Sequence, residues 1–198
     1  MSEDKKRSAG NELETAIEHG DAEAVQRLAF DSRKVHYAIG RAIYWRHHGL
    51  VDLLLASPHF ERDETKFEGW SNLQKAMSIR PEKADLRMAE TFVRHGANPN
   101  TRFRTGWTML HDRLLNKDTE AAIWLVKHGA EPHARGPNGI SSFDIAIEEG
   151  FYAVAEEMVK HGASIHRPGL QGISPRSTAT GKGDTRMIET RFRRQCRL

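Results

Sequence analysis

The chain is 198 residues long, 38% hydrophobic and 29% charged, with a formal net charge of +3, a pI near 9.1 and a mean hydropathy of −0.65. So polar a composition leaves a modest core and much surface, which fits an elongated array of helices better than a compact α/β globule, and one domain is the expected count. No apolar run has the length needed to cross a bilayer, and the single cysteine, Cys196, excludes an internal disulfide and a thiolate metal cluster.

Residues 1–10 read as a polar N-terminal tail. Met1-Ser2-Glu3-Asp4-Lys5-Lys6-Arg7 has no apolar secretory stretch behind it, so an intracellular setting, cytoplasmic or nuclear, is expected. The first amphipathic segments follow, with Leu13-Glu14-Thr15-Ala16 ahead of a Gly20-Asp21 turn, then Ile39 and Ala42, then Val51 to Leu55. Pro58 to Lys66 is polar and predicts an irregular connection. Pro81 disfavours helix at Arg80 and marks a second irregular stretch up to Lys83.

From Gly69 onward the chain repeats itself, and Gly106, Gly139 and Gly172 stand 33 residues apart, each two residues ahead of a hydroxyl, Thr108, Ser141 or Ser174. His-Gly-Ala recurs at His95, His128 and His161. A fixed period of this length means stacked supersecondary units. Within one period, Gly106-Trp107-Thr108 predicts a turn whose threonine caps a short helix with Leu110 and Leu114 inward. Ala122, Trp124, Leu125 and Val126 supply the apolar stripe of a second helix. Gly129 ends it by taking a left-handed conformation that lets the chain satisfy the last carbonyls.

Thr108-Met109-Leu110-His111 resembles the T-P-L-H of the ankyrin repeat, and Lys127 to Arg135 resembles that family's helix end and β-turn. Gly69-Trp70-Ser71-Asn72-Leu73-Gln74-Lys75-Ala76 resembles its first helix. The resemblance implies an all-α, helix-turn-helix repeat solenoid with short β-turn fingers. About six units are expected, roughly 11–31, 32–60, 64–100, 101–133, 134–166 and a polar cap at 167–198. Arg113 stands where the family has a small alanine and Lys117-Asp118 replaces the inter-helix glycine, so a looser turn is expected there.

Signatures of chemistry are sparse. His95, His128 and His161 share one repeat position, about a repeat width apart, whereas zinc needs its ligands within about 2 Å of itself. The resemblance gives His111 a structural role, hydrogen-bonding neighbouring turns. Gly181-Lys182-Gly183 lacks the glycine-rich loop of a phosphate cradle, no G-x-S-x-G occurs, and acid pairs such as Glu156-Glu157 lie side by side on a helix without facing each other. No enzymatic activity, metal or cofactor is expected. The C-terminal arginines, Arg186, Arg191, Arg193, Arg194 and Arg197, suggest a phosphate-binding arm or, more plainly, a solvated terminus.

Binding is where the repeat register becomes specific. In an ankyrin-like stack the turn tips and the inner face of each first helix line a concave groove. Transferred to this chain, the turn positions include Glu68, Trp70, Arg102, Arg104, Trp107 and Ile140. The positions near the ends of the first helices include Tyr44, Trp45, Ile79, Asp112, Leu115, Asn116, Glu148 and Glu149. Three of the four tryptophans, Trp45, Trp70 and Trp107, thus fall on the groove and Trp124 on the core face of a second helix. Exposed aromatics with arginine beside them are the composition of a protein-binding surface. The favoured function is an adaptor that binds a segment of another protein through these Trp and Tyr anchors. Two alternatives stay open: the aromatics pack on neighbouring turns as structure, or the irregular N-terminal half closes an aromatic pocket around a small molecule, even as a metal-free enzyme using His111, Asp112, Tyr44 and Glu68.

Overall fold

The computed structural model describes residues 3–29, 31–60, 71–78, 83–169, 172–181 and 183, with side chains from residue 11 onward. Among the described residues all regular elements are helices, apart from isolated bridges in the turns. The chain forms two compact units, Met1–Asn98 and Pro99–Leu198.

The first unit holds α1 (Glu3–Glu18), α2 (Ala22–Leu28), α3 (Ser32–Trp45), α4 (His48–Leu55), α5 (Asn72–Ser78) and α6 (Leu86–Arg94). They pack as the pairs α1/α2, α3/α4 and α5/α6. The first helices α1, α3 and α5 neighbour one another in one layer, and the second helices α2, α4 and α6 do so in another. The polar segment expected as a tail is, from Glu3, the first part of α1, because its lysine, arginine, glutamate and alanine residues are good helix formers.

Aspartate starts three of these helices. Asp21, Asp31 and Asp85 accept hydrogen bonds from the amides of Ala24, Lys34 and Met88 at 3.0, 2.8 and 3.1 Å, each cap stabilising its helix by about 1 kcal/mol. Ile17, Val25, Val35, Ile39, Val51, Leu54, Leu73, Met88 and Phe92 are buried between the layers. Helix α3 ends at Arg46, which takes the left-handed conformation with φ 61° and turns the chain into α4.

The second unit holds α7 (Met109–Leu115), α8 (Thr119–Lys127), α9 (Ser142–Glu148), α10 (Tyr152–Lys160) and α11 (Pro175–Gly181). The 33-residue register is visible in its hydrogen bonds. Phe103, Gly136 and Gly169 donate their amides to Trp107, Ile140 and Ile173 at 2.8, 2.8 and 2.7 Å, closing the expected β-turn fingers. Arg102 donates to the carbonyls of Gly106 and Arg135 at 2.6 and 2.8 Å, and one period later Arg135 donates to those of Gly139 and Pro168 at 2.6 and 3.2 Å. Each guanidinium therefore clips its own finger to the next one. Thr108 and Ser141 cap α7 and α9, the second through a reciprocal box with Asp144. Leu110, Leu114, Ala122, Leu125 and Val126 are buried, as the periodicity predicts.

Two expectations need correction. Trp124 is only half-buried: its indole stacks on His128 with centroids 3.9 Å apart and interplanar angle 24°, so it covers the end of α8 rather than filling the core. The turn after α7 is not loose. Lys117 takes the glycine-like conformation at φ 58°, and Asp118 donates its amide to the Arg113 carbonyl at 2.9 Å and caps α8. Arg113 itself is buried, paired with Asp112 and, at 3.8 Å, with Asp118. The two carboxylates supply the partners that make an arginine tolerable in an alanine position.

Candidate functional site

Helix α3 is buried on one side and open on the other. Val35, Ala38, Ile39, Ala42 and Ile43 face the core. On the opposite side Tyr37 is 46% exposed, Tyr44 58% and Trp45 39%. Tyr37, Gly40 and Tyr44 follow the spacing i, i+3, i+7, which places them on one stripe. Large apolar groups left open together on a rigid helix mark a binding surface more often than scattered single ones do.

Polar contacts fix this stripe. The Tyr37 hydroxyl donates to one carboxylate oxygen of Glu14 on α1, and Arg41 donates Nε to the other at 2.6 Å. The Arg41 guanidinium also lies 5.1 Å from the centroid of the Tyr44 ring, a cation–π arrangement. Tyr44 and Trp45 meet edge to face, 5.3 Å between centroids at 87°. From α5, the Lys75 ammonium reaches over Gly40, 3.8 Å from where a Cβ would stand.

The ionisations follow from these contacts. The Tyr37 hydroxyl hydrogen bond, with help from Arg41, holds the Glu14 carboxyl below its ordinary range. The same bond pushes the Tyr37 phenol up, since ionisation would set two anions together. Hydrogen bonding to Glu14 raises Arg41 further above neutrality. At neutral pH the cluster is therefore a neutral tyrosine, a carboxylate and a guanidinium.

The other predicted groove residues are placed as follows. Arg104, Glu148 and Glu149 are exposed, and Leu115 at the end of α7 is 58% exposed. Arg102 is engaged in its finger clip. Trp107 is half-buried, with its indole against Gly136 of the next finger and edge-on to His111 at 5.1 Å and 60°. Asp112 holds Arg113, and Asn116 donates to the Asp112 carbonyl at 2.8 Å. The Ile140 carbonyl accepts from His111 Nε2 at 3.1 Å. Glu68, Trp70, Ile79 and the C-terminal arginines lie outside the described residues.

The histidines of the repeat position serve their helices: His128 and His161 donate Nδ1 to the carbonyls of Trp124 and Glu157 at 2.7 and 2.9 Å, while His95 Nε2 meets Asp52 at 2.9 Å. Buried His111 lies 2.7 Å from the Thr108 hydroxyl through Nδ1, and desolvation pushes its pKa down.

The sequence reading named Tyr44 and Trp45, which are exposed, and did not name Glu14, Tyr37, Gly40, Arg41 or Lys75. The available signal was Tyr37-Gly40-Tyr44 on one helical stripe, a pattern that neither a helix end nor a turn tip marks.

Paired helices, a 33-residue finger register and a threonine–histidine link between successive turns define a class, the ankyrin-repeat fold. Among solved structures, the ankyrin repeat domain of Bcl-3, a member of the IκB family, matches 90% of this chain and 97% of its own at a TM-score of 0.67 and 17% identity. At that identity the likeness establishes the fold: the chain has the architecture of an ankyrin-repeat domain. No known protein-family pattern and no curated protein matches the sequence. Among the described residues no helix is long and apolar enough to cross a membrane.

Proposed function

We propose that the chain is a protein-interaction module and that the open face of α3 is its docking surface. Repeat arrays of this kind characteristically offer surfaces to other molecules, though the fold by itself names no partner. The observation that carries the reading is the exposed pair Tyr44 and Trp45, held edge to face on a helix whose other side is packed. Rigid aromatics lose little conformational entropy on binding and bury about 150–250 Å² each when covered. The Arg41 and Tyr37 bonds to Glu14 hold that face in one arrangement before a partner arrives, which lowers the ordering cost of association.

The small-molecule reading has less support. A cleft of about 550 Å³ lies against α2 and α4, lined by residues that include Gln26, Ala29, Asp52, Leu54 and His59. Tyr44 and Trp45 are not among the residues that line it.

The test is affinity capture with the wild-type chain and with a Tyr44→Ala/Trp45→Ala variant. Both positions are exposed, so the variant keeps the helical spectrum. Proteins captured by wild type and lost by the variant support the reading. An identical captured set from both rules it out.

A further inference from the structure

Successive turns of the second unit are joined at one repeated position. Asn100 Oδ1 accepts the Glu131 amide at 2.7 Å, and its Nδ2 donates to the Gly129 carbonyl at 2.9 Å. One period later the position is His133, whose Nε2 accepts the Ser164 amide at 3.1 Å. A backbone N–H can only donate, so Nε2 must offer a lone pair: the neutral ring makes this bond and the imidazolium, protonated on both nitrogens, cannot. An asparagine carbonyl carries no such condition. Of two joints equivalent by register, the second alone depends on a titratable acceptor.

The surroundings hold the ring at its post. Buried Phe143 of α9 meets the imidazole edge to face, 5.5 Å between centroids at 86°, and donates its amide to the Pro132 carbonyl at 3.0 Å. On the far side Ser164 stands between buried Ala163 and Ile165, and the Ile165 carbonyl accepts the Arg176 amide of α11 at 3.1 Å. The segment is thus bound backward to His133 and forward to the terminal helix. Arg167 on the following finger and Arg135 on the ring's own segment oppose a proton on His133; Asp144 on α9 and Glu131 favour one, and burial opposes it most.

We propose that the His133–Ser164 bond is a proton-operated latch: in acid the imidazolium releases the Ser164 amide, and the segment carrying α11 loses its tie to the preceding turn while the Asn100–Glu131 joint stays closed. The direction follows from the tautomer. A neutral ring keeps the latch shut at neutral pH; desolvation sets the folded pKa below 6.5, so release comes on the acid side of that value. Protonation also turns an acceptor into a donor, which sets N–H against N–H. Helix α11 stays packed on α9, so acid loosens the joint without unfolding the unit. The latch is independent of the docking surface on α3.

The test is amide hydrogen exchange by NMR on the full chain at pH 7.5 and about pH 5, each rate corrected for the intrinsic pH dependence of exchange, with the His133 ring carbons reporting its protonation. As His133 gains its proton, protection of the Ser164 amide is expected to fall roughly tenfold, the scale of one lost hydrogen bond, while that of Glu131 holds. His133→Asn places the acceptor of the first joint in the second and keeps Ser164 protected at both pH values. The proposal is overturned if Ser164 keeps its protection while His133 is protonated, if His133 stays neutral at the lower pH, or if Ser164 and Glu131 lose protection together. An equal fall at Ser164 in His133→Asn overturns it as well, because the proton then acts elsewhere.

Discussion

The imidazole of His111 lies 3.1 Å from the Ile140 carbonyl through Nε2 and 2.7 Å from the Thr108 hydroxyl through Nδ1, tying the start of α7 to the finger of the following unit. The neutral ring fits both contacts, Nε2 donating to the carbonyl and Nδ1 accepting from the hydroxyl. Replacing His111 with leucine leaves the Ile140 carbonyl without its side-chain partner, at a cost of roughly 1–3 kcal/mol in urea unfolding.

The same residue makes stability depend on pH. Desolvation lowers the folded-state pKa of His111 below 6.5, and His133 is lowered for the same main reason. Above about pH 6.5 both states are neutral there and the full stability is present. As pH falls below that value the unfolded chain takes up protons that the folded chain resists, so stability declines. Unfolding midpoints at pH 7.5 and 5.5 should differ more for wild type than for His111→Leu.

Arg113 is 1% exposed and bound to Asp112 and Asp118. Arg113→Met removes one side of a buried ion pair and should cost about 3 kcal/mol or more. Adding Asp118→Asn restores part of that loss, because asparagine still caps α8 while removing the uncompensated charge. The double-mutant cycle in urea reads the coupling directly.

Ser142 is buried at the first position of α9, and its hydroxyl has no hydrogen-bond partner among the described residues. Ser142→Ala removes an unsatisfied group without opening a large cavity. The expected result is neutral to stabilising by up to about 1 kcal/mol; calorimetry reads it as an unchanged or higher Tm.

On α3, Tyr37→Phe removes the largest cause of the lowered Glu14 pKa. The Glu14 contribution is present above its ordinary value of 4.5 and is lost as pH falls through the lower folded value. Carboxyl NMR titration should give Glu14 a wild-type pKa below 4.5, moved upward in Tyr37→Phe.

The architecture was legible where each residue type had a single local role. Glycine followed by a hydroxyl builds the same turn again 33 residues on, and His111 sits where the T-P-L-H resemblance puts it. What escaped depended on partners far along the chain. Arg113 looks like a misfit until Asp112 and Asp118 close around it. The fit of Trp107 requires that the next finger offer Gly136, whose added Cβ would fall inside the indole. Tyr37 and Arg41 acquire their setting only when Glu14, more than twenty residues earlier, is folded beside them. Tyr44 and Trp45 are exposed, as expected of residues at the open end of a first helix.

The docking reading is tested most directly by placing the photo-crosslinking amino acid benzoylphenylalanine at position 44, with control chains carrying it at 115 or 131, both exposed. Illumination in cell extract is predicted to join the position 44 chain to a defined protein, at yields several-fold above the controls and abolished by Trp45→Ala. Crosslinks to the same protein from position 115 or 131 with none from position 44 would contradict the assignment of the docking surface to α3.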